Sequence, residues 1–479
     1  MELFFLSLFL LPLSIALTFC FLIYKNKDHA TDLNLPPGSY GWPIIGETLD
    51  FLGSGQNGTP ESFVQDRMNK YSDQIFKTAL LLEPTAVFCG PNGHKFLFSN
   101  ENKLVVSSWP GSVRNLLQSS IINKLGDEAK QTRKLLMAFL KPEALQGYVR
   151  TMDAVTRRHM ETEWESKREV TVFPLVKMYT FSLACCLFAS IEDMDHISKL
   201  ADLFNILLKG LVVLPLNFPG TTYYWANKAA DAIRGELRAM VERRRTALGE
   251  NTASPNQDLL SHLLVTADEN GRFMPEKEVV DNILALFFGG HDTTNCAVAF
   301  LMKYLAEMPN IYYGILREQR EIAASKGPKD HLDWEGIQKM KYSWNVANEV
   351  MRLAPPVQGN FRKSISDFTY AGSRVPKGWK FYWSVNSTHK NPNYFPDPEK
   401  FDPSRFEGDG PTPYTFVPFG GGPRMCPGKE YARLEILVFL HNVVKRFKWE
   451  AVFPDEKITV DPLPAPVKGL PVRLQPHLS

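Results

Sequence analysis

Cysteine is scarce in this chain and nowhere arranged for a cluster. Six occur in 479 residues (Cys20, Cys89, Cys185, Cys186, Cys296 and Cys426), with no Cys-x-x-Cys pair. That argues against structural zinc and iron–sulfur centres. The scatter also lacks the framework spacing of a disulfide-stapled secreted protein and fits a reduced, cytosolic setting. The ten histidines form no His-Glu-x-x-His arrangement, so the motif of a zinc hydrolase is missing. A surplus of one charge sign is missing too. The formal net charge is +2, and no global field points to nucleic acid as a partner. Repeats and low-complexity blocks are absent after residue 40. Two glycosylation triplets occur at Asn57 and Asn386, a number common by chance, and a cytosolic domain leaves them unused. The remaining composition, 44% hydrophobic and 22% charged, suits a large globular body with a substantial core.

Against that background the N-terminus stands out. Leu3 to Ile23 is an uncharged apolar run of 21 residues, and about 20 are needed to span a bilayer. Pro12 inside it is tolerable in lipid. Lys25 and Lys27 follow and Glu2 precedes, so the positive-inside bias puts the C-terminal body in the cytosol. The long apolar core, the acidic start and the lack of a small-x-small site argue against a cleaved signal peptide. The expected organisation is an uncleaved membrane anchor over 1–24 and a linker over 25–40. Pro36-Pro37-Gly38 would be its stiff hinge, and a single body would fill 41–479.

Within that body, Ile75–Leu82 and Thr85–Cys89 read as a hairpin turning at Glu83-Pro84. From about Glu128 to Met308 the pattern is mostly helical. Pro275 and Pro309 bound one helix of roughly 50 Å, apolar nearly all round at Ile283–Phe288 and so expected to cross the core. A β-rich stretch follows at Phe368–Val385, with turns at Ala371-Gly372 and Pro376–Gly378. The class is mainly α with small β-sheets.

The most informative segment is Phe419-Gly-Gly-Gly-Pro-Arg-Met-Cys-Pro-Gly428. One cysteine sits in a loop of glycine, proline and arginine, where the backbone can turn its N–H groups onto the sulfur. Such amides favour a thiolate, the form that acts as nucleophile or metal ligand. The loop leads into the helical pattern starting at Lys429, whose N-terminal dipole favours negative charge at the sulfur. The rival reading is a buried structural cysteine beside a glycine-rich turn. The segment resembles the haem-binding signature of the cytochrome P-450 family, matched at Phe419, Gly422, Arg424, Cys426 and Gly428. A chance match of those five positions arises on the order of once in ten thousand chains of this length. The resemblance implies the cytochrome P-450 fold as a single large domain. It also implies haem b (iron protoporphyrin IX) with the Cys426 thiolate as its axial iron ligand.

Three further segments gain meaning beside that loop. Gly289-Gly290-His291-Asp292-Thr293-Thr294 interrupts the most apolar helix. Two mid-helix glycines cost about 1 kcal/mol each relative to alanine, and buried polar groups cost more unless partnered. A kinked core helix with a satisfied aspartate is the bland alternative. The segment resembles the family's oxygen-activation motif, in which Gly289 and Gly290 let haem and dioxygen approach while Asp292 and Thr293 deliver protons. Glu349-x-x-Arg352 alone is an ordinary i, i+3 surface pair. With Arg405 in Phe401–Phe406 it resembles the family's buried Glu-x-x-Arg network, whose role is structural. Arg424, Arg362 and Arg133 fall where the family supplies cations for the haem propionates, although each alone reads equally as a solvated charge. The chain departs from the family at Ala129, where a tryptophan is usual four residues before Arg133.

Lys130, Lys134, Lys141, Lys429, Arg433 and Lys445 read equally as ordinary surface charge or as a basic face for an acidic flavoprotein. The resemblance implies such a partner: an NADPH-cytochrome P-450 reductase passing electrons singly to an enzyme of the endoplasmic reticulum membrane. Leu286, Phe287 and Val357, with segments 105–117, 207–218 and 466–470, are the expected pocket walls. They suit a large apolar substrate with few polar anchors. Gln338–Asn345 and Phe401–Gly408 closely resemble the plant branch that oxidises cyclic triterpenes such as β-amyrin, often at the C-28 methyl through to the acid. The expectation is therefore a monooxygenase acting on a terpenoid. Other readings are attack at another triterpene carbon, a diterpenoid (taxane) substrate, a peroxide-rearranging relative, or a non-turnover haem sensor or carrier. An intact Asp292-Thr293 pair argues against the last two, since neither needs a proton relay.

Overall fold

A computed structural model describes residues 34–324, 327 and 330–477, together with 11–12 and 14–18. The anchor expected at 1–24 therefore lies largely outside the described residues. So does the linker before residue 34.

Five strands make the principal sheet: β1 (Ile75–Leu80), β2 (Glu83–Phe88), β3 (Val105–Ser107), β4 (Gly359–Ser364) and β5 (Lys380–Ser384). Their order is β1-β2-β5-β4-β3, antiparallel except between β2 and β5. The β1–β2 turn falls on Leu81-Leu82, both at positive φ (53° and 70°), and not on Glu83-Pro84 as the sequence suggested. A two-residue turn of that hand matches the twist of the flanking strands. Pro84 instead pairs with Ala79, one position before β2 meets β5 at Thr85. A proline with no N–H to donate fits there, where only one neighbour needs satisfying. The Ala371-Gly372 turn falls where expected, also with both residues at positive φ.

The Pro36-Pro37-Gly38 segment is not a free hinge. Lys77 N–H donates to the Pro37 carbonyl at 2.8 Å, and a Cβ on Gly38 would lie 2.1 Å from the Lys77 oxygen. Glycine is required there, and the segment is pinned to the edge of β1. The folded body thus begins several residues earlier than the sequence boundary at 41.

The helices that build the site, labelled in chain order, are α1 (Gly126–Leu140), α2 (Val172–Ala189), α3 (Met194–Lys209), α4 (Thr222–Gly249), α5 (Glu276–Glu307), α6 (Lys341–Leu353) and α7 (Lys429–Arg446). Pro275 caps α5, and Glu276 and Glu278 occupy its first turn, where the helix dipole favours acids. Its 32 residues span about 48 Å. The helix is continuous across Gly289–Thr294, so the expected interruption does not occur. Tertiary packing on both sides of α5 outweighs the low propensity of two glycines. Helix α2 is apolar and long enough to cross a membrane, yet 67% of that stretch is buried. Phe181 and Phe188 on α2 interleave there with Phe204 on α3 and Phe287 on α5, at centroid separations of 5.2–6.2 Å. Each such ring contributes on the order of 1.5–3 kcal/mol by burial.

Candidate functional site

The cysteine loop is rigid because its glycines are pressed onto another element. Gly422 has φ 65°, and a Cβ there would lie 2.3 Å from the Phe98 carbonyl. The Cys426 amide donates to the Phe419 carbonyl at 2.9 Å, closing the loop. Cys426 is exposed, whereas Cys89, Cys185, Cys186 and Cys296 are all buried. The protein packed around the loop desolvates the sulfur and pushes its pKa up. The Gly428 amide, the Arg133 guanidinium and the Lys429 ammonium pull it back down. The glycine amide is the partner the loop composition implied; the cations come from α1 and the start of α7.

The three arginines converge from three elements. Arg424 follows the loop glycines, with Nη1 donating to the Ile121 carbonyl at 3.2 Å and Nη2 to that of Lys124. Arg362 projects from β4 and is 3% exposed. Arg133 is half-buried on α1, where desolvation lowers its pKa; it also lies close enough to feel Cys426, which opposes that shift, and Arg424, which adds to it. Ala129 packs one turn earlier on α1, where it is buried. Glu101, which sequence reasoning did not single out, joins two of the three. Its carboxylate is 2.8 Å from Arg362 Nε and 3.4 Å from Arg424 Nε.

Helix α5 brings the second constellation against the first turns of α7. A Cβ on Gly289 would meet nothing within 4 Å, so this glycine faces open space. One on Gly290 would meet Phe188 at 3.3 Å and Tyr431 at 3.7 Å. The two glycines therefore serve different ends: Gly289 clears the open side, and Gly290 admits rings from α2 and α7. Thr293 is half-buried on the Gly289 side, and its hydroxyl donates to the Gly289 carbonyl at 2.9 Å. Asp292 is held by Lys177 of α2 at 3.0 Å. His291, also close to Asp292, is fully enclosed, and desolvation lowers its pKa. Leu286 shares the face of Gly289 and Thr293 at helical spacing, and Val357 is half-buried. Phe287 is a correction: it is fully buried among Phe181, Phe188 and Phe204, about 100° around the helix from Leu286, and lines no pocket.

The Glu349-x-x-Arg352 pair is enclosed, with both side chains fully buried. Arg352 reaches Glu349 through Nε at 2.7 Å and Nη2 at 2.8 Å, and the His389 carbonyl at 2.8 Å. Arg405 approaches Glu349 at 3.5 Å, and the Asp402 amide donates to the same carboxylate at 2.8 Å. The ordinary surface pair is thereby excluded. The basic face is smaller than six residues. Lys130, Lys141 and Lys429 are exposed, but Lys134 is paired with Glu269 and Arg433 is tied to Glu430. Lys445 is half-buried, with its pKa pushed down to about 8 by desolvation.

Two more residues escaped sequence reasoning: Lys177 and Glu435. Both carboxylate oxygens of Glu435 are enclosed with no hydrogen-bond partner among the described residues. Desolvation drives its pKa well above the carboxylate range, against a pull from the Thr294 hydroxyl. A signal was present for Lys177, a lone charge in an apolar helical run that must meet a partner or neutralise; Glu435, two residues after Arg433, carries a weaker one. For Glu101, in a short polar connection, the sequence carries no such signal.

Among the described residues no group of three or more His, Cys, Asp or Glu side chains could hold a bare metal ion. A single exposed sulfur on a rigid loop, flanked by three arginines, fits a haem instead. Cys426 would be the axial ligand, and Arg133, Arg362 and Arg424 the partners of its propionates.

The chain matches the Cytochrome P450 family profile over residues 36–471. It is 58% identical over 478 residues to a protein of Vitis vinifera named Beta-amyrin 28-monooxygenase, covering 100% of both chains. A protein of the same name from Medicago truncatula is 57% identical, with 99% of each chain covered. Among solved structures, retinoic acid bound cyanobacterial CYP120A1 superposes with a TM-score of 0.85 at 32% identity, over 93% of this chain and 100% of that one. With the thiol loop, the arginines around it and the buried Glu349–Arg352 pair in the arrangement the motifs imply, this chain belongs to the cytochrome P450 family.

Proposed function

We propose that the chain is a haem-thiolate monooxygenase that oxidises a pentacyclic triterpene of the β-amyrin type at C-28, in successive steps from methyl to carboxylic acid. The observation that carries this reading is the full-length identity to relatives named for that reaction. In each step one oxygen atom of dioxygen enters a carbon–hydrogen bond and the other leaves as water, which consumes two electrons and two protons. When bound, haem would supply the oxygen activation, and the Cys426 thiolate would hold it and donate electron density to it. The protein supplies the rest. Cys426 holds the ligand position on a loop that cannot shift. Gly289 leaves room on the reacting side. Asp292, paired with Lys177, passes protons to the Thr293 hydroxyl, which stands one turn from the Gly289 carbonyl. Leu286 and Val357 present apolar surface to a hydrocarbon.

Electrons reach the site from NADPH through a reductase, for which Lys130, Lys141 and Lys429 form the basic docking face. Residues 1–24 anchor the enzyme in the endoplasmic reticulum membrane, with the catalytic body in the cytosol. The test is co-expression with a plant reductase in yeast that makes β-amyrin, with products identified by mass spectrometry and NMR. The C-28 alcohol, aldehyde and acid are expected. Oxidation at another carbon would overturn the regiochemistry. No oxidised triterpene from a protein with a normal carbonyl-bound haem spectrum would overturn the substrate.

A further inference from the structure

Glu101 is an acid where acids should be unwelcome. It is 5% exposed and stands between two of the three arginines assigned to anionic propionates. Its position is fixed from three directions. Ser107 of β3 donates its amide to Oε1 at 2.9 Å. Arg362 donates through Nε to Oε2 at 2.8 Å, and the Arg424 Nε is 3.4 Å from Oε1. Ser107 is also the register partner of Arg362 in the β3–β4 ladder, so Glu101 folds back over both members of one strand pair. A carboxylate held by a backbone amide and two guanidiniums has no freedom to turn away.

The charges are matched. Three guanidiniums and one carboxylate leave two positive charges, the number that two propionates neutralise. Arg424 and Arg362 are close enough that Arg424 depresses the Arg362 pKa, while Glu101 supports the charged form of both. Without Glu101 two like charges would converge in a desolvated corner with no anion of the protein between them. Both arginines hold Glu101 through Nε, and backbone carbonyls take Nη1 of each. Arg362 Nη2 makes no hydrogen bond among the described residues, although a guanidinium has five N–H donors to place. The clamp thus fixes each guanidinium plane from its inner edge.

We infer that Glu101 is a positioning residue for haem: it sets the orientation of Arg362 and Arg424 toward the propionates and, through its negative charge, lowers the reduction potential of the iron. The inference rests on the haem-thiolate reading above and adds a second task, tuning of the iron by a residue that never touches it. Position and charge are separable. Glu101→Gln keeps the length and removes the charge. Glu101→Asp keeps the charge and falls one methylene short of spanning both arginines.

The experiment uses the full-length protein in microsomes or detergent. Two quantities are measured: transfer of haem to excess apomyoglobin, and the midpoint potential by dye-mediated titration. For Glu101→Gln, haem transfer about ten-fold faster and a more positive potential are expected. For Glu101→Asp, faster transfer at the wild-type potential is expected, which keeps the test alive if the glutamine variant fails to fold. A wild-type potential in Glu101→Gln would reduce Glu101 to a prop of the fold and overturn the inference, whatever the transfer rate. Wild-type haem retention in Glu101→Asp would overturn the positional half. If the wild-type protein itself lacks the red-shifted carbonyl band of a thiolate-bound haem, the underlying reading has failed instead.

Discussion

Replacing Arg352 by alanine removes the centre of a network that has no access to water. Arg352 and Glu349 are both fully buried, and the mutation deletes two charge-assisted hydrogen bonds to Glu349 and those to the His389 and Lys400 carbonyls. What remains for Glu349 is the Asp402 amide at 2.8 Å and Arg405 at 3.5 Å. Arg405 is a weak substitute: its Nε faces Glu349 but makes no hydrogen bond among the described residues, while its Nη2 holds the Asp397 carbonyl at 3.0 Å. Stranding one partner of a buried ion pair costs roughly 3–5 kcal/mol. Set against a total stability of about 5–15 kcal/mol, that lowers the folded-to-unfolded ratio by roughly 10²–10⁴. The two carbonyls come from the segment leading to the cysteine loop, so the loss should show first as missing haem. Haem per polypeptide, by pyridine haemochrome against quantified protein, should fall to a small fraction of wild type. Arg405→Ala, which removes only the longer contact, should retain most of it. Wild-type haem content and urea midpoint in Arg352→Ala would refute the claim that the pair holds this region together.

Cys426→Ser should stay membrane-bound yet show no red-shifted carbonyl Soret band, since no other exposed cysteine among the described residues can replace it; a retained band would remove Cys426 as the ligand. Thr293→Ala should bind haem and substrate but form far less product per NADPH, because general acid–base assistance is typically worth roughly 10²–10⁴ in rate. Thr294→Ala, altered on the face toward α7, should stay near wild-type coupling, and equal coupling in both mutants would move the relay elsewhere. Glu435→Gln should change the pH dependence of stability. A carboxyl whose folded pKa is raised stabilises fully below its unfolded pKa of about 4.3 and loses that contribution as pH rises toward the folded value. Glutamine cannot ionise, so the mutant Tm should fall less between about pH 5 and pH 8; parallel Tm profiles would show that Glu435 ionises freely.

Much of this protein is legible in its sequence because it is local. The cysteine loop, the proline-bounded long helix and the Ala371-Gly372 turn are each fixed by backbone chemistry within a few residues, which a sequence displays directly. The resemblance to the family's motifs pointed to Cys426 and to the three arginines, which the fold brings close together. What the sequence misjudged depended on neighbours from elsewhere in the chain. Gly289 and Gly290 look equivalent on paper, but Phe188 and Tyr431 press on one and nothing on the other. Phe287 reads as a pocket wall until α2 and α3 are seen to bury it, and Pro36–Gly38 reads as a spacer until β1 claims it. Glu101, Lys177 and Glu435 lie far along the chain from the partners that give them meaning; Glu101 and Arg362 are 261 residues apart. The strength of a buried charge depends on what surrounds it within a few ångströms, and only the tertiary fold decides which residues those are.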